Sequence, residues 1–175
     1  MTPDPSFASR HSSFALVALG SNLGDSTAIL QLAMERLQGF STRPLLKSSL
    51  WQTTPVDCPP GSPLFVNAVV ALAPLAGETP ESLLEKLQAL ERDSGRRARQ
   101  VLNEPRPLDL DLIAFGPELR DTPGLILPHP RAHLRRFVLE PLHEIAPDLI
   151  LPRQTKTIRE LLAELRSGEV LRRLA

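Results

Sequence analysis

The chain has 175 residues, and its 20 basic and 20 acidic side chains cancel. Such a length suits one core built without disulfides or a structural metal, and the charge balance excludes a global field that would gather nucleic acid or an anionic membrane. Cys58 is the only cysteine, which excludes an internal disulfide framework and a thiolate zinc cluster.

No apolar run approaches the roughly 20 residues needed to cross a bilayer. A soluble protein of the reducing cytoplasm is expected, with neither nucleic acid nor membrane as partner, and the working expectation is a monomer. Residues 1–13 are polar and rich in Ser and Pro, lack the basic start and apolar middle of a secretory signal, and read as a disordered leader to a single domain at 14–175.

Residues 14–19 form an apolar run that stops at Gly20, Ser21 and Asn22, the pattern of a buried strand ending in a turn. Ile29, Leu30, Ala33, Met34 and Leu37 then recur at helical spacing, with Asp25 or Ser26 as cap and Gly39 as stop. Residues 45–54 read as a strand, 55–63 as a Pro- and Gly-rich loop, and 64–72 as the returning strand of a hairpin. Thr79 and Pro80 open a second amphipathic helix, which ends near Gly95. Residues 108–115 alternate apolar and polar, as a half-buried strand does. The order is β-α-β-β-α-β, which predicts an α+β fold of ferredoxin-like type: an antiparallel sheet with helices packed on it. A Pro-interrupted segment at 128–147 and a helix from about Thr157 extend the domain at its C-terminus.

The most informative segment is Pro105-Arg106-Pro107-Leu108-Asp109-Leu110-Asp111-Leu112. On a strand, Asp109 and Asp111 share one face about 7 Å apart, while Leu108, Leu110 and Leu112 enter the core. Two carboxylates so close call for a cation between them, and oxygen-only ligands suit magnesium, whose shell is completed by water and substrate phosphates. Taken alone, such a pair is more often a solvated strand face. Arg96, Arg97, Arg99 and Arg106 lie just upstream, however, and planar guanidinium groups grip phosphate oxygens bidentately. Carboxylates and arginines together supply both halves of a metal-nucleotide clamp.

Phe65 and Asn67, two apart on the preceding strand, share a face and offer a ring to stack on and an amide for a heterocycle edge, although a lone Phe is more often core. Thr53, Thr54 and Val56 can offer backbone groups to the same ligand. Downstream, His129 and His133 lack the third ligand and the Glu of a zinc motif, so His129 beside Arg131, Arg135 and Arg136 reads as a phosphate contact, with Phe137 as a second ring. No Gly-rich loop ends in Lys-Ser or Lys-Thr, which excludes a P-loop enzyme. Asn22 is placed to tie neighbouring loops together.

Four blocks, namely Ala18-Leu19-Gly20-Ser21-Asn22-Leu23-Gly24, Phe65-Val66-Asn67-Ala68, the aspartate block above and Leu127-Pro128-His129-Pro130-Arg131, resemble the 6-hydroxymethyl-7,8-dihydropterin pyrophosphokinase family. The resemblance implies transfer of pyrophosphate from ATP to the hydroxymethyl-pterin, yielding AMP in folate biosynthesis, with Asp109 and Asp111 holding two Mg2+ ions that bridge ATP phosphates. It implies that Phe65 and Phe137 sandwich the pterin while Asn67 bonds its edge, with Thr53, Thr54, Val56 and Asp109 beside it. Gln88, Glu91, Arg96, Arg106, Leu112, His129 and Arg135 match positions around the nucleotide. Arg96, Arg106, Asp109 and Asp111 are the residues expected to act on the moving group, and Glu91 to support the site without reacting.

The sequence departs from the family at Asn103, where a lid Trp is usual, at Ala98, where a second lid arginine is usual, and at Phe65, where a Tyr is frequent. Residues 55–63 and 96–107 lack apolar periodicity and read as mobile lids. A ferredoxin-like RNA-binding module is the rival reading, against which the acidic pair counts because it would repel phosphates unless a metal intervened.

Overall fold

The computed structural model describes residues 14–56, 58, 60–95 and 104–174. The proposed leader, Arg96, Arg97, Ala98, Arg99, Asn103 and most of the second lid lie outside them.

Strand β1 (Ala15–Ser21) is buried along its whole length, because both faces of the sheet are covered. It pairs antiparallel with β4 (Phe65–Leu72) on one side and β5 (Asp109–Phe115) on the other. Outward from β4 follow β3 (Trp51–Thr53) and then β8 (Leu171–Arg173), with the short β2 (Leu46–Lys47) also on β4. The sheet order is β5-β1-β4-β3-β8, and every pairing is antiparallel.

Helices α1 (Ser26–Gln38) and α2 (Pro80–Asp93) cover one face. Leu30 and Leu37 from α1, and Leu83, Leu87 and Leu90 from α2, pack in one core with Val17, Leu19, Val70 and Leu112. Each fully buried leucine contributes about 1.5–3 kcal/mol relative to exposure. Asp25 caps α1 by accepting from Ala28 N–H at 3.1 Å, and Thr79 caps α2 in a reciprocal box with Ser82. Gly39 follows α1 in right-handed conformation (φ −66°), so this stop does not exploit a glycine's left-handed freedom.

The opposite face is covered by α3 (Arg136–Ile145) and α4 (Ile158–Glu164), whose Val138, Leu139, Leu142 and Ile158 meet Ala18, Val69, Ala71 and Ile113. Sequence reasoning placed only an interrupted segment at 128–147, because Pro141 stands inside α3. An interior proline removes a backbone donor at a cost of about 3 kcal/mol. Here the buried apolar stripe on either side of it, Pro141 included, outweighs that loss.

Three further differences concern strands. The run 45–54 breaks into β2 and β3, since Ser48 bonds β4 through its own hydroxyl, which accepts from Val69 N–H at 3.0 Å, and Ser49 turns to Glu144. A hairpin of β6 (Arg120–Thr122) and β7 (Leu125–Leu127) follows β5. Strand β8 has no apolar alternation to announce it and exists through pairing with β3. Along β5 the register slips between Leu16 and Val17, leaving Ile113 unpaired and sending both Ile113 and Ala114 into the α3 core.

Candidate active site

Register is what gathers the site. Gly20 stands opposite Asn67 on β4 and opposite Asp109 on β5, while Ala18, two residues back, stands opposite Val69 and Asp111. Asn67, Gly20 and Asp109 therefore form one row across three strands, and Asp111 lies on the same face one step along. Gly20 belongs to β1 itself, so the turn begins only after Ser21. A side chain at Gly20 would crowd the row: a Cβ there would lie 3.0 Å from Asn67 Oδ1 and 4.0 Å from Asp109 Cβ.

Above this row is a cavity of about 260 Å³. Thr53, Thr54, Val56, Phe65 and Asn67 line it from the β3–β4 side; Arg106, Asp109 and Asp111 line it from β5 and its approach. Arg135 and Phe137 reach it from the start of α3, together with Arg131, Leu134 and Glu169. Asn67 Nδ2 donates to Thr53 Oγ1 at 2.7 Å in a buried bond, which fixes the amide plane and leaves Oδ1 toward Gly20.

Each ring carries a guanidinium: Arg106 Cζ lies 5.8 Å from the Phe65 centroid and Arg135 Cζ 5.4 Å from that of Phe137. The same arginines face the acids. Arg106 Nη2 meets Asp109 Oδ2 at 2.6 Å, and Arg135 Nη1 lies 3.6 Å from Asp111 Oδ2. Asn22 positions Arg106 by its backbone, accepting Arg106 N–H at 2.9 Å on Oδ1 and donating its own N–H to Arg106 O at 3.2 Å. This is the loop tie expected of Asn22. Arg106 Nε is buried and has no hydrogen-bond partner.

His129 N–H donates to Ile113 O at 2.8 Å, which seats the residue over β5. Its Nδ1 accepts from Arg131 N–H at 3.2 Å, so a neutral imidazole carries its proton on Nε2, 4.0 Å from Asp111 Oδ2. Burial pushes the His129 pKa down, with Arg135 and Arg131 adding to that and Asp111 opposing it. Burial likewise pushes Asp111 up, reinforced by the Asp109 carboxylate, while His129, Arg135 and Arg106 pull the other way. The Arg135 pKa is lowered, first by burial and then by Arg131.

The other expected positions are placed differently. Glu91 is buried on α2 and accepts Leu110 N–H at 2.7 Å, bracing the outer edge of β5 from behind the site. Leu112 is buried in the core under α1 and α2, away from the cavity's own side chains. Gln88 is exposed on α2, and Arg96 lies outside the described residues. Sequence reasoning passed over Gly20 as a lining residue and missed Glu169 entirely, since an isolated Glu in a charged tail carries no local signal.

Among the described residues no three His, Cys, Asp or Glu side chains converge as a ready-made metal cage, and no helix is long and apolar enough to cross a membrane. The aspartate pair nevertheless fits a hard divalent cation that draws its remaining ligands from phosphate and water. Its donors are all oxygen, and the Asp111 pKa is raised first by burial and then by the Asp109 carboxylate, a push that the surrounding bases do not fully offset.

Residues 16–147 match the family described as 7,8-dihydro-6-hydroxymethylpterin-pyrophosphokinase. The 2-amino-4-hydroxy-6-hydroxymethyldihydropteridine pyrophosphokinase of Pseudomonas aeruginosa is 42% identical over 148 residues, covering 84% of this chain and 88% of that one. The Haemophilus influenzae protein of the same name is 35% identical over 159 residues, covering 90% and 96%. The fold is shared with a crystal structure of an HPPK-DHPS in complex with substrates (TM-score 0.69, 13% identity, 86% of this chain) and with wild-type Plasmodium falciparum HPPK-DHPS (TM-score 0.66, 14% identity, 87% of this chain). Of those longer chains, this one spans 43% and 44% respectively. The chain thus belongs to the 7,8-dihydro-6-hydroxymethylpterin-pyrophosphokinase family.

Proposed function

We propose that the cavity over the Asn67–Gly20–Asp109 row is where this enzyme joins its two substrates. The chain transfers pyrophosphate from ATP to 6-hydroxymethyl-7,8-dihydropterin in folate biosynthesis. Phe65 and Phe137 take the two faces of the pterin ring and Asn67 its edge, with Thr53, Thr54 and Val56 closing the far wall. Arg106 and Arg135, each already against a ring, hold the phosphates between the pterin and the acids. Arg96, Gln88 and His129 extend that grip along the nucleotide, Glu91 braces β5, and Leu112 contributes through its backbone.

Asp109 and Asp111 are the ligands for magnesium, two ions being expected with ATP. When bound, the metal neutralises charge on the phosphate oxygens and aligns them for in-line displacement. The pterin hydroxymethyl oxygen attacks the β-phosphorus, the bond to the α-phosphate oxygen breaks, and AMP leaves. The protein's part is positioning and charge stabilisation: the rings fix the nucleophile, and guanidinium groups meet the charge that develops on the transferred group. No side chain of the cavity is assigned as a general base.

The sheet order β5-β1-β4-β3 and the placement of α1 and α2 on one face support a ferredoxin-like core. In this reading α3 and α4 are a C-terminal addition that closes the site face, within a single domain starting at residue 14, cytoplasmic and monomeric. The observation that carries the site assignment is the strand register, which puts the amide of Asn67 and both aspartates on one face of one cavity. Mixing protein, ATP, Mg2+ and hydroxymethyl-dihydropterin should release AMP in step with pterin diphosphate. Formation of ADP, or nucleotide turnover independent of pterin, overturns it.

A further inference from the structure

Helix α3 begins without a cap of its own: Arg135 precedes it and makes no side-chain bond to its first turn. The orphan donors are met from elsewhere. Glu169, 32 residues beyond Phe137, accepts Phe137 N–H on Oε2 at 3.0 Å and Arg136 N–H on Oε1 at 3.3 Å. A carboxylate at this position also meets the positive end of the helix dipole. The next residue reaches the other wall of the cavity. Val170 N–H donates to Thr54 Oγ1 at 3.2 Å, and Thr54 N–H donates to Val170 O at 3.2 Å. Beyond it, β8 pairs with β3, and Leu174 N–H donates to Leu50 O at 2.8 Å. One short segment thus joins the backbone of Phe137 to the backbone of Thr54 across the cavity that Glu169 itself lines.

We propose that Glu169 is a positioning residue for the pterin: it fixes the spacing between the Phe137 wall and the Thr53–Thr54–Phe65 wall, and so sets the slot in which a flat bicyclic heterocycle fits. This rests on the assignment of that cavity to the pterin. Glu169 is assigned no phosphate contact, and its bonds lie at Arg136 and Phe137, past the phosphate-side Arg135, so the larger part of its effect falls on the pterin. Shortening the side chain by one methylene pulls the helix start toward the strap or breaks the bonds, although the charge is kept. The uncharged isostere keeps the reach and one accepting oxygen for Phe137 N–H.

The test is steady-state kinetics, with separate binding of a non-hydrolysable ATP analogue and Mg2+, on Glu169→Ala, Glu169→Asp and Glu169→Gln. The expected result is a rise of about tenfold in pterin KM for Ala, a smaller rise for Asp and the smallest for Gln, with analogue affinity and kcat at saturating pterin within about twofold of the parent. Should Glu169→Ala fail to fold, the Asp-to-Gln difference carries the same prediction. A pterin KM unchanged across the variants overturns the proposal. So does a parallel loss of pterin affinity, analogue affinity and Tm in which Gln is no better than Asp, because that pattern is simple destabilisation. Failure of the parent enzyme to form AMP would instead strike at the cavity assignment itself.

Discussion

Two carboxylates on the α3 side of the sheet sit in regions of opposite electrostatic character. Asp111 on β5 has a raised pKa and Glu144 on α3 a lowered one. Burial pushes both upward. At Glu144 it is more than offset by Ser49 Oγ–H at 2.7 Å, Ser49 N–H at 2.9 Å, Trp51 Nε1–H at 3.3 Å and the Arg173 guanidinium at 3.0 Å. At Asp111 the nearest ion-pair partner among the described residues is Arg135 at 3.6 Å, and the neighbouring Asp109 adds to the upward push. A carboxylate wrapped in donors is a structural fastener; one raised by burial and by a like charge gains most when a cation arrives.

The largest expected effect breaks the comparison at its functional end. If Asp111 holds magnesium as proposed, Asp111→Ala should lower turnover by about a thousandfold, since it removes a metal ligand. Its Tm should change little, because the lost attraction to Arg135 and His129 is offset by relief of the carboxylate's burial and of its repulsion with Asp109. Kinetics at saturating Mg2+ beside a thermal melt reads both quantities. Near-parental turnover would remove Asp111 from the metal site.

At the structural end, Glu144→Gln should cost about 2 kcal/mol of stability at pH 7 while leaving kcat nearly unchanged, charged hydrogen bonds being worth about 1.5–3 kcal/mol each before the amide's partial compensation. The sign with pH follows from the lowered folded-state pKa. Above the ordinary value of 4.5 the carboxylate is ionised in folded and unfolded chains alike, and its full contribution is present. As pH falls below that value toward the folded-state pKa, the contribution is lost. Denaturant melts of the two proteins should therefore converge on acidification; a gap that stays constant through that range would mean that the carboxylate's charge contributes nothing.

The same contrast explains what could be read in advance. Elements that carry their own signals were legible: α2 has Thr79, Pro80 and its leucine spacing within one segment, and the aspartate pair advertises itself by alternation on β5. The fastener was not. Glu144, Arg173 and the neighbouring pair Ser49 and Trp51 come from three distant segments of the chain, and their meeting depends on α3 running through Pro141 and on β8 joining β3. The row Asn67–Gly20–Asp109 was half legible. Phe65 and Asn67 could be put on one face, and so could Asp109 and Asp111, but only the register of β1 between them puts both pairs over one cavity. Gly20 looked like turn chemistry because a glycine followed by Ser and Asn at the end of an apolar run usually is; its role in the strand lies in what stands on either side of it.

That role gives the smallest and sharpest expected effect. In Gly20→Ala the new methyl would sit 3.0 Å from Asn67 Oδ1 and 3.9 Å from Phe65 Cδ1, closer to the amide than packing allows, so Asn67 must yield by a few tenths of an ångström. Its bond to Thr53 resists the shift, and Asp109, 4.0 Å away on the other side, is in ordinary contact and need not move. The disturbance should therefore fall on recognition of the pterin edge and spare the acids: pterin KM up by about three- to tenfold, kcat and ATP KM changed by less than about twofold. Stability should change little, the reduced freedom of the unfolded chain, worth about 0.4–1 kcal/mol, working against the new crowding. A variant with parental pterin KM but impaired ATP use would invert the assignment, placing the row's amide on the nucleotide side of the cavity and leaving the two rings without an edge contact between them.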